Sequence, residues 1–370
     1  MIPYGKQKID NDDIAAVTGV LQSDFLTQGP AVAAFEEALS VATGAPYVVA
    51  VSSGTAALHV AYLAAGLGAG DEVITTPNTF VATANMLLAV GAVPVFCDIS
   101  LDTYNIDETK IEALVTPRTK AIVAVDFAGR PCAYKILREI ADKHNLFLIE
   151  DGAHSLGATY EGQPIGTQAD LTTISFHPVK PITTAEGGAV LTSDKALYER
   201  ARLFRSHGVQ KDAAGFNVMT ELGFNYRLPD VLAALGTSQL TKLPVFIEKR
   251  REVATWYEES LATCAHIVRP LTSVESGWHI YVIRVKDPAD RIPLYRHLIE
   301  NGVGANFHYP AVYSHPYYRS HGYESVSLEQ MDIYDKTSIT LPCHVHLTRE
   351  DIDLIVDKVE LYFSQKTEVI

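Results

Sequence analysis

Between residues 30 and 208 the chain alternates short β-branched apolar runs with longer Ala/Leu-rich stretches of helical period. The apolar runs Tyr47–Ser52, Glu72–Thr76, Val93–Asp98, Ala121–Asp126, Leu146–Ile149, Leu171–Ser175 and Ala189–Thr192 have strand length and are bounded by turn residues. Strands that alternate with helices predict a mostly parallel central sheet flanked by helices on both faces, so the expected fold class is α/β. With the N-terminal segment, this large domain is expected to span residues 1–229. Pro229 suits a helix start, and the stretch from there to Thr263 reads as helical with a break at Pro244. Beyond it, a strand at His279–Val285 and helices at Ile292–Asn301 and Arg349–Ser364 predict a smaller C-terminal α/β domain, so that residues 230–370 hold linking helices and this second unit.

Composition narrows the functional classes. At 370 residues and 47% apolar, the chain can bury more core than one average domain needs. A formal net charge of −14 with no basic block argues against a nucleic-acid partner, which would require a basic face. The four cysteines, Cys97, Cys132, Cys264 and Cys343, form no ligand pair or redox motif, and the thirteen histidines show no helical ligand spacing, so no metal site is expected. The start lacks a basic-then-apolar signal pattern, and the longest apolar stretch, from Val48 to Gly70, is interrupted by Ser52, Ser53, Gly54 and His59. A soluble cytoplasmic protein without a membrane partner is expected. Gly66, Gly68 and Gly70 are not a dinucleotide fingerprint, because they follow a helix and precede a strand; they read as a helix C-cap and turn.

Candidate chemistry gathers where strands run into turns. Lys180 lies in Ser175-Phe176-His177-Pro178-Val179-Lys180-Pro181, just past an apolar strand and before Gly187 and Gly188. An amine on a short, rigid turn among apolar and hydroxyl groups has its charged form disfavoured, which frees its lone pair for Schiff-base chemistry. A surface lysine on a loop accounts for the same run taken by itself. Asp151 ends the strand-like run from Leu146 and could hold a pyridine nitrogen protonated; a helix N-cap is an equal reading. Ser53, Gly54 and Thr55 join a strand to an Ala/Leu-rich helix, where backbone N–H groups could bind a phosphate or simply be capped. Together, at three strand-to-turn junctions of one domain, they are harder to assign to capping and chance.

These residues carry a family resemblance. The chain resembles the fold-type I pyridoxal-phosphate (PLP) enzymes and, within them, the DegT/DnrJ/StrS nucleotide-sugar aminotransferases. The match runs through Tyr4-Gly5-Lys6, Ser23 to Pro30, Thr75 to Asn85, the lysine segment, Phe204 to Gly208, Gly223 to Leu228 and Leu341 to His344, in order and over nearly the whole chain.

The resemblance implies roles. Lys180 would carry the cofactor covalently and act as base, and Asp151 would pair with the pyridinium nitrogen. His154 would sit near the cofactor's 3-hydroxyl or buttress Asp151, a structural histidine being the alternative. Ser53, Gly54, Thr55 and Ser175 would hold the phosphate; Phe80 would stack on the ring or else be a core residue. Asn225 would reach the phosphate of a neighbouring subunit, making a homodimer with shared sites. Tyr4, Asp24, Phe25, Leu26, Thr27, His308, Tyr309 and Tyr313 would contact the nucleotide sugar, with Arg227, Lys6 and Arg205 as candidate basic groups. Many relatives have histidine where Tyr313 stands. The implied reaction moves an amino group from L-glutamate to carbon 4 of a UDP-4-keto-6-deoxy-N-acetylhexosamine. The L-altro sugar of pseudaminic acid synthesis is expected first, the D-gluco sugar next and a 4-keto-pentose third. Retention of Lys180 speaks for transamination over dehydration and against a non-catalytic PLP-binding regulator; the missing glycine fingerprint disfavours an NAD-dependent sugar oxidoreductase.

Overall fold

The computed structural model describes residues 1–367. Seven strands form the central sheet: β1 (Tyr47–Val51), β2 (Glu72–Thr75), β3 (Val93–Phe96), β4 (Thr119–Val125), β5 (Phe147–Asp151), β6 (Leu171–Ser175) and β7 (Gly188–Thr192). Their spatial order is β1-β7-β6-β5-β4-β2-β3. Strands β2 to β6 pair in parallel, whereas β7 runs antiparallel to both β6 and β1. The mostly parallel sheet expected from the alternating pattern is therefore present. β5 extends two residues beyond the expected Ile149, because Val125 pairs with Asp151 across the ladder.

Both faces are covered, which is why the strands read as continuous apolar runs rather than alternating ones. On one face the helix Gly54–Ala64 packs its alanines, with Val60 and Tyr62, against β-strand residues such as Val49 and Ile149. On the other, Phe35 and Leu39 of the helix Pro30–Thr43 meet Ile174, Phe176 and Leu228. Gly66 and Gly70 follow the first of these helices with φ of +77° and +89°, the left-handed turn expected there.

The helix Asp230–Leu240 follows Pro229, and a second helix, Leu243–Ser260, begins beside Pro244, where the break was expected. Further along, Ile267–Val268, Tyr281–Val285 and Ser338–Leu341 form an antiparallel sheet of three strands. Only the middle strand was legible: one neighbour has two residues, and the other alternates serine and threonine with apolar residues. The helices Arg291–Glu300 and Arg349–Thr367 cover this sheet. Among the described residues no helix is long and apolar enough to cross a membrane.

Candidate active site

The carboxyl ends of β1, β5 and β6 open on one edge of the sheet, where ligands of open α/β sheets bind. They floor a cavity of about 630 Å³ whose lining includes Ser53, Gly54, Thr55, Asp151, Ser175 and Lys180. A larger and more open depression of about 730 Å³ lies between the 99–110 loop and Tyr160 and contains none of the candidate residues.

Ser53 is the N-cap of the helix Gly54–Ala64, its hydroxyl accepting the Ala56 N–H at 3.0 Å. The Gly54 and Thr55 N–H groups at the first two helical positions have no intrahelical acceptor, so they remain for an anion, with the helix dipole behind them. Gly54 is required here: a Cβ would lie 2.8 Å from Ser175 Cβ. Gly188 at the start of β7 is equally constrained, since its Cβ would meet the Ser53 carbonyl. Capping by Ser53 thus leaves these two N–H groups unused at this junction.

Asp151 is buried, with Oδ2 accepting the Thr83 hydroxyl at 2.7 Å and Oδ1 the Ala153 N–H at 3.2 Å. Burial pushes its carboxyl above the usual range, and these two donors, with the Lys180 charge, oppose the shift. Thr79 sits 2.7 Å from the Thr83 hydroxyl, so a two-hydroxyl chain feeds the carboxylate. Neither threonine was singled out from sequence.

Lys180 is set in the connection between β6 and β7, which is pinned from within. Its N–H donates to His177 O at 2.9 Å, Phe176 N–H to Gly187 O at 2.9 Å, and Thr184 N–H to Phe176 O at 3.0 Å. The residue keeps part of its surface open to the cavity, while its amine lies deep enough that burial lowers its pKa to about 8 against the pull of Asp151. An amine in that range is a usable nucleophile and base near neutral pH.

His154 is buried, and Ala128 N–H donates to its Nδ1 at 3.3 Å. That assigns the proton to Nε2, which lies 3.2 Å from the Tyr309 hydroxyl. Burial and then the Lys180 charge hold the imidazole well below its ordinary pKa, so it is neutral. His308 is lowered to about 4 by the same two causes. His279, which sequence did not flag, packs on His154 with ring centres 4.3 Å apart. Tyr4, His308 and Tyr309 line the wall; Phe80 is 57% exposed at the cavity and tilted against Tyr309, not a core residue.

Several expected contacts are absent from this subunit's cavity. Tyr313 is a correction: the turn Val312–Ser314 swings its ring into an apolar cluster with Phe96, and its hydroxyl donates to Asp332 at 2.7 Å. His315, two residues on, lines the cavity instead. Arg205 is also corrected, since it is committed to Glu36 at 2.7 Å and to the Ala50 carbonyl. Lys6 lines only a narrow gap beside Lys180 and Arg250. Asp24, Phe25, Leu26, Thr27, Asn225 and Arg227 do not line the cavity. Phe25, Leu26 and Asn225 are exposed, and near Asn225 the hairpin Val209–Lys211 with Asn217–Met219 leaves Phe216 and Met219 exposed as well.

A model of the DegT/DnrJ/EryC1/StrS aminotransferase family matches residues 7–360. The chain is 39% identical over 364 residues, 96% of each protein, to a UDP-4-amino-4,6-dideoxy-N-acetyl-beta-L-altrosamine transaminase of Campylobacter jejuni. Among solved structures, Helicobacter pylori PseC, an aminotransferase involved in the biosynthesis of pseudoaminic acid, superposes with a TM-score of 0.94 at 36% identity, covering 98% of this chain and 99% of PseC. The PLP-form of Spr1654 from Streptococcus pneumoniae has a TM-score of 0.93 at 29% identity, covering 98% of this chain and 99% of Spr1654.

Proposed function

Because the chain belongs to the DegT/DnrJ/EryC1/StrS aminotransferase family, we propose that it uses PLP to move an amino group from L-glutamate to carbon 4 of a UDP-4-keto-6-deoxy-N-acetylhexosamine. The preferred acceptor in this reading is the L-altro sugar of pseudaminic acid synthesis. The observation that carries the chemistry is Lys180, whose pKa of about 8 is set by burial beside Asp151. The acceptor follows the names of the C. jejuni and H. pylori relatives.

The cavity fits the cofactor on its own terms. Only glycine fits at residue 54, which leaves a pocket with free N–H donors for a phosphate. Asp151, with one protein donor on each oxygen, retains lone pairs for a protonated ring nitrogen. When bound, PLP supplies an electron sink for the substrate carbon that exchanges a proton.

The chain's residues do the rest. The Lys180 amine takes and returns that proton. The Asp151 carboxylate, supported by Thr83, holds a proton on the ring nitrogen. Gly54 and Thr55 N–H groups and the Ser175 hydroxyl bind phosphate, and Phe80 covers a ring face. The His154 Nε2–H fixes the Tyr309 hydroxyl oxygen, leaving the Tyr309 proton to point at a ligand. In this reading residues 1–229 hold the cofactor, and residues 230–370 supply Tyr309 and His315 toward the sugar. Asn225, Arg227 and the 24–27 segment serve the partner subunit's site in a homodimer, a reading supported by the exposed apolar hairpin beside Asn225.

The L-altro and D-gluco 4-keto sugars present the same groups in different stereochemistry. Misfit of one small group costs about 1–3 kcal/mol, roughly 10- to 200-fold. We expect turnover of both, with kcat/KM higher for the L-altro sugar when glutamate is donor. Equal values, or a preference for the D-gluco sugar, overturn the acceptor and leave the aminotransferase standing.

A further inference from the structure

The helix Leu243–Ser260 buries an arginine that the chemistry above does not use. Arg250 is 2% exposed, and among the described residues it makes no ion pair. Its guanidinium instead donates to main-chain carbonyls from three separate stretches. Nη1 reaches Cys343 O at 2.8 Å, His279 O at 3.0 Å and Trp278 O at 3.3 Å, and Nη2 reaches Val179 O at 3.4 Å. Nε has no acceptor. A buried cation is normally matched by a carboxylate, because desolvation is costly and an opposite charge repays part of it. Carbonyl dipoles solvate the guanidinium without cancelling its charge, so a net positive charge stays inside the protein, one peptide away from Lys180.

We propose that Arg250 is a positioning residue for Lys180: its planar fork ties the Val179–Lys180 peptide to the segments at Trp278–His279 and Cys343, and its uncompensated charge favours the neutral, reactive form of the Lys180 amine over the charged one. This rests on the PLP reading above.

The surroundings of Lys180 single out Arg250 as the fixed cation. Asp151, at the end of β5, pulls the amine toward its charged form, and burial and Arg250 push the other way. His154, His279 and His308 face the same space and are held neutral by burial, while Glu186, His177 and His315 line the cavity at exposed or half-exposed positions where water screens them. The Cys343 thiol, raised to about 11 by burial, is uncharged as well. Lys6 and Lys8, from the N-terminal segment, border the gap between Lys180 and Arg250 and are both exposed or half-exposed, so water screens them. Arg250 has no such screening. It also holds the carbonyls of two adjacent residues in a strained stretch, for Trp278 has φ of +46°.

The test measures, between about pH 6 and 10, the rate at which cofactor-free wild type, Arg250→Gln, Arg250→Met and Arg250→Lys develop visible absorbance on adding PLP, because only the neutral Lys180 amine attacks the aldehyde. Removing a buried cation beside an amine raises its pKa, so the two neutral variants should move the midpoint of this rate profile up by about 0.5–1 unit. Their amination rate with glutamate at pH 7 should fall about 3- to 10-fold and recover as pH rises, since one pKa unit is tenfold in the neutral fraction. Arg250→Lys keeps the charge and loses the fork, so its midpoint should stay near that of the wild type. Loss of packing alone would lower the rate at every pH and leave the midpoint unmoved. An unmoved midpoint in a folded neutral variant overturns the inference. Should neither neutral variant fold, a lysine variant shifted upward by half a unit or more overturns it as well. A wild type that takes up no PLP removes the reading of the site and this inference with it, whereas a titrating wild type with unshifted variants removes the inference alone.

Discussion

Replacing Thr83 with valine deletes one hydroxyl from the floor of the cavity and leaves its shape nearly unchanged. That hydroxyl donates to Asp151 Oδ2 at 2.7 Å, in a site where Asp151 is 4% exposed. A hydrogen bond to a charged group is worth about 1.5–3 kcal/mol, and its loss raises the carboxyl pKa by about 1–2 units. Asp151 then becomes the stronger base, and the proton shared with a ring nitrogen shifts toward the carboxylate. The ring loses positive charge and with it electron-withdrawing power. We expect the single-turnover rate with saturating glutamate to drop roughly 10- to 100-fold for Thr83→Val, with Thr83→Ser close to wild type. The pH dependence of stability gives an independent reading. Because the folded carboxyl is already raised, its contribution is present below the unfolded pKa of about 4 and is lost as pH rises through the folded value. Valine raises the folded value further, so the cofactor-free variant should melt below wild type at neutral pH, by about 1–2 °C per kcal/mol, with the gap closing toward pH 4. A Thr83→Val enzyme within threefold of wild type, with the same melting gap at both pH values, refutes the reasoning.

Two further outcomes follow from the geometry. Gly54→Ala forces a methyl to within 2.8 Å of Ser175 Cβ, which cannot rotate away. It should cost about 1–3 kcal/mol of stability and weaken PLP binding, read as a lower melting temperature and a raised Kd. In the dimer reading, mixing inactive Lys180→Ala with weakened Asn225→Ala subunits gives hybrids in which one site has both residues intact. Activity should reappear after subunit exchange verified by mass spectrometry, and its absence would place Asn225's effect within its own chain.

Much of the site was legible because it sits at strand-to-turn junctions. Asp151 and Ser175 end buried apolar runs, and Ser53 to Thr55 show capping chemistry before an alanine-rich helix. Thr83 was not legible, since a threonine inside Ala82–Ala89 meets Asp151 only once the sheet has formed. Arg250 and His279 read as an ordinary helical cation and a strand histidine; their burial depends on contacts between residues far apart in the chain. Tyr313 was misplaced for a local reason: the turn over Val312–Ser314 puts His315 on the cavity side, and residue types alone do not reveal that rotation.

The antiparallel strand β7 also sets an order of assembly. Within the sheet β1 has β7 as its single neighbour. A ribosome delivers Tyr47–Val51 early and its pairing partner late, after β2 to β6 have emerged. Those five strands can pair among themselves as they appear, and Asp151 can take its place with them. The anion cradle at Ser53 to Thr55 has no sheet link to Ser175 until Thr192 is made, because β7 is the strand that pairs with both β1 and β6. Until then β1 is an unpaired apolar segment, the kind that aggregates or recruits chaperones during synthesis. In a nascent chain the two sides of the phosphate site are therefore joined to one sheet last, when β7 is inserted between β1 and β6.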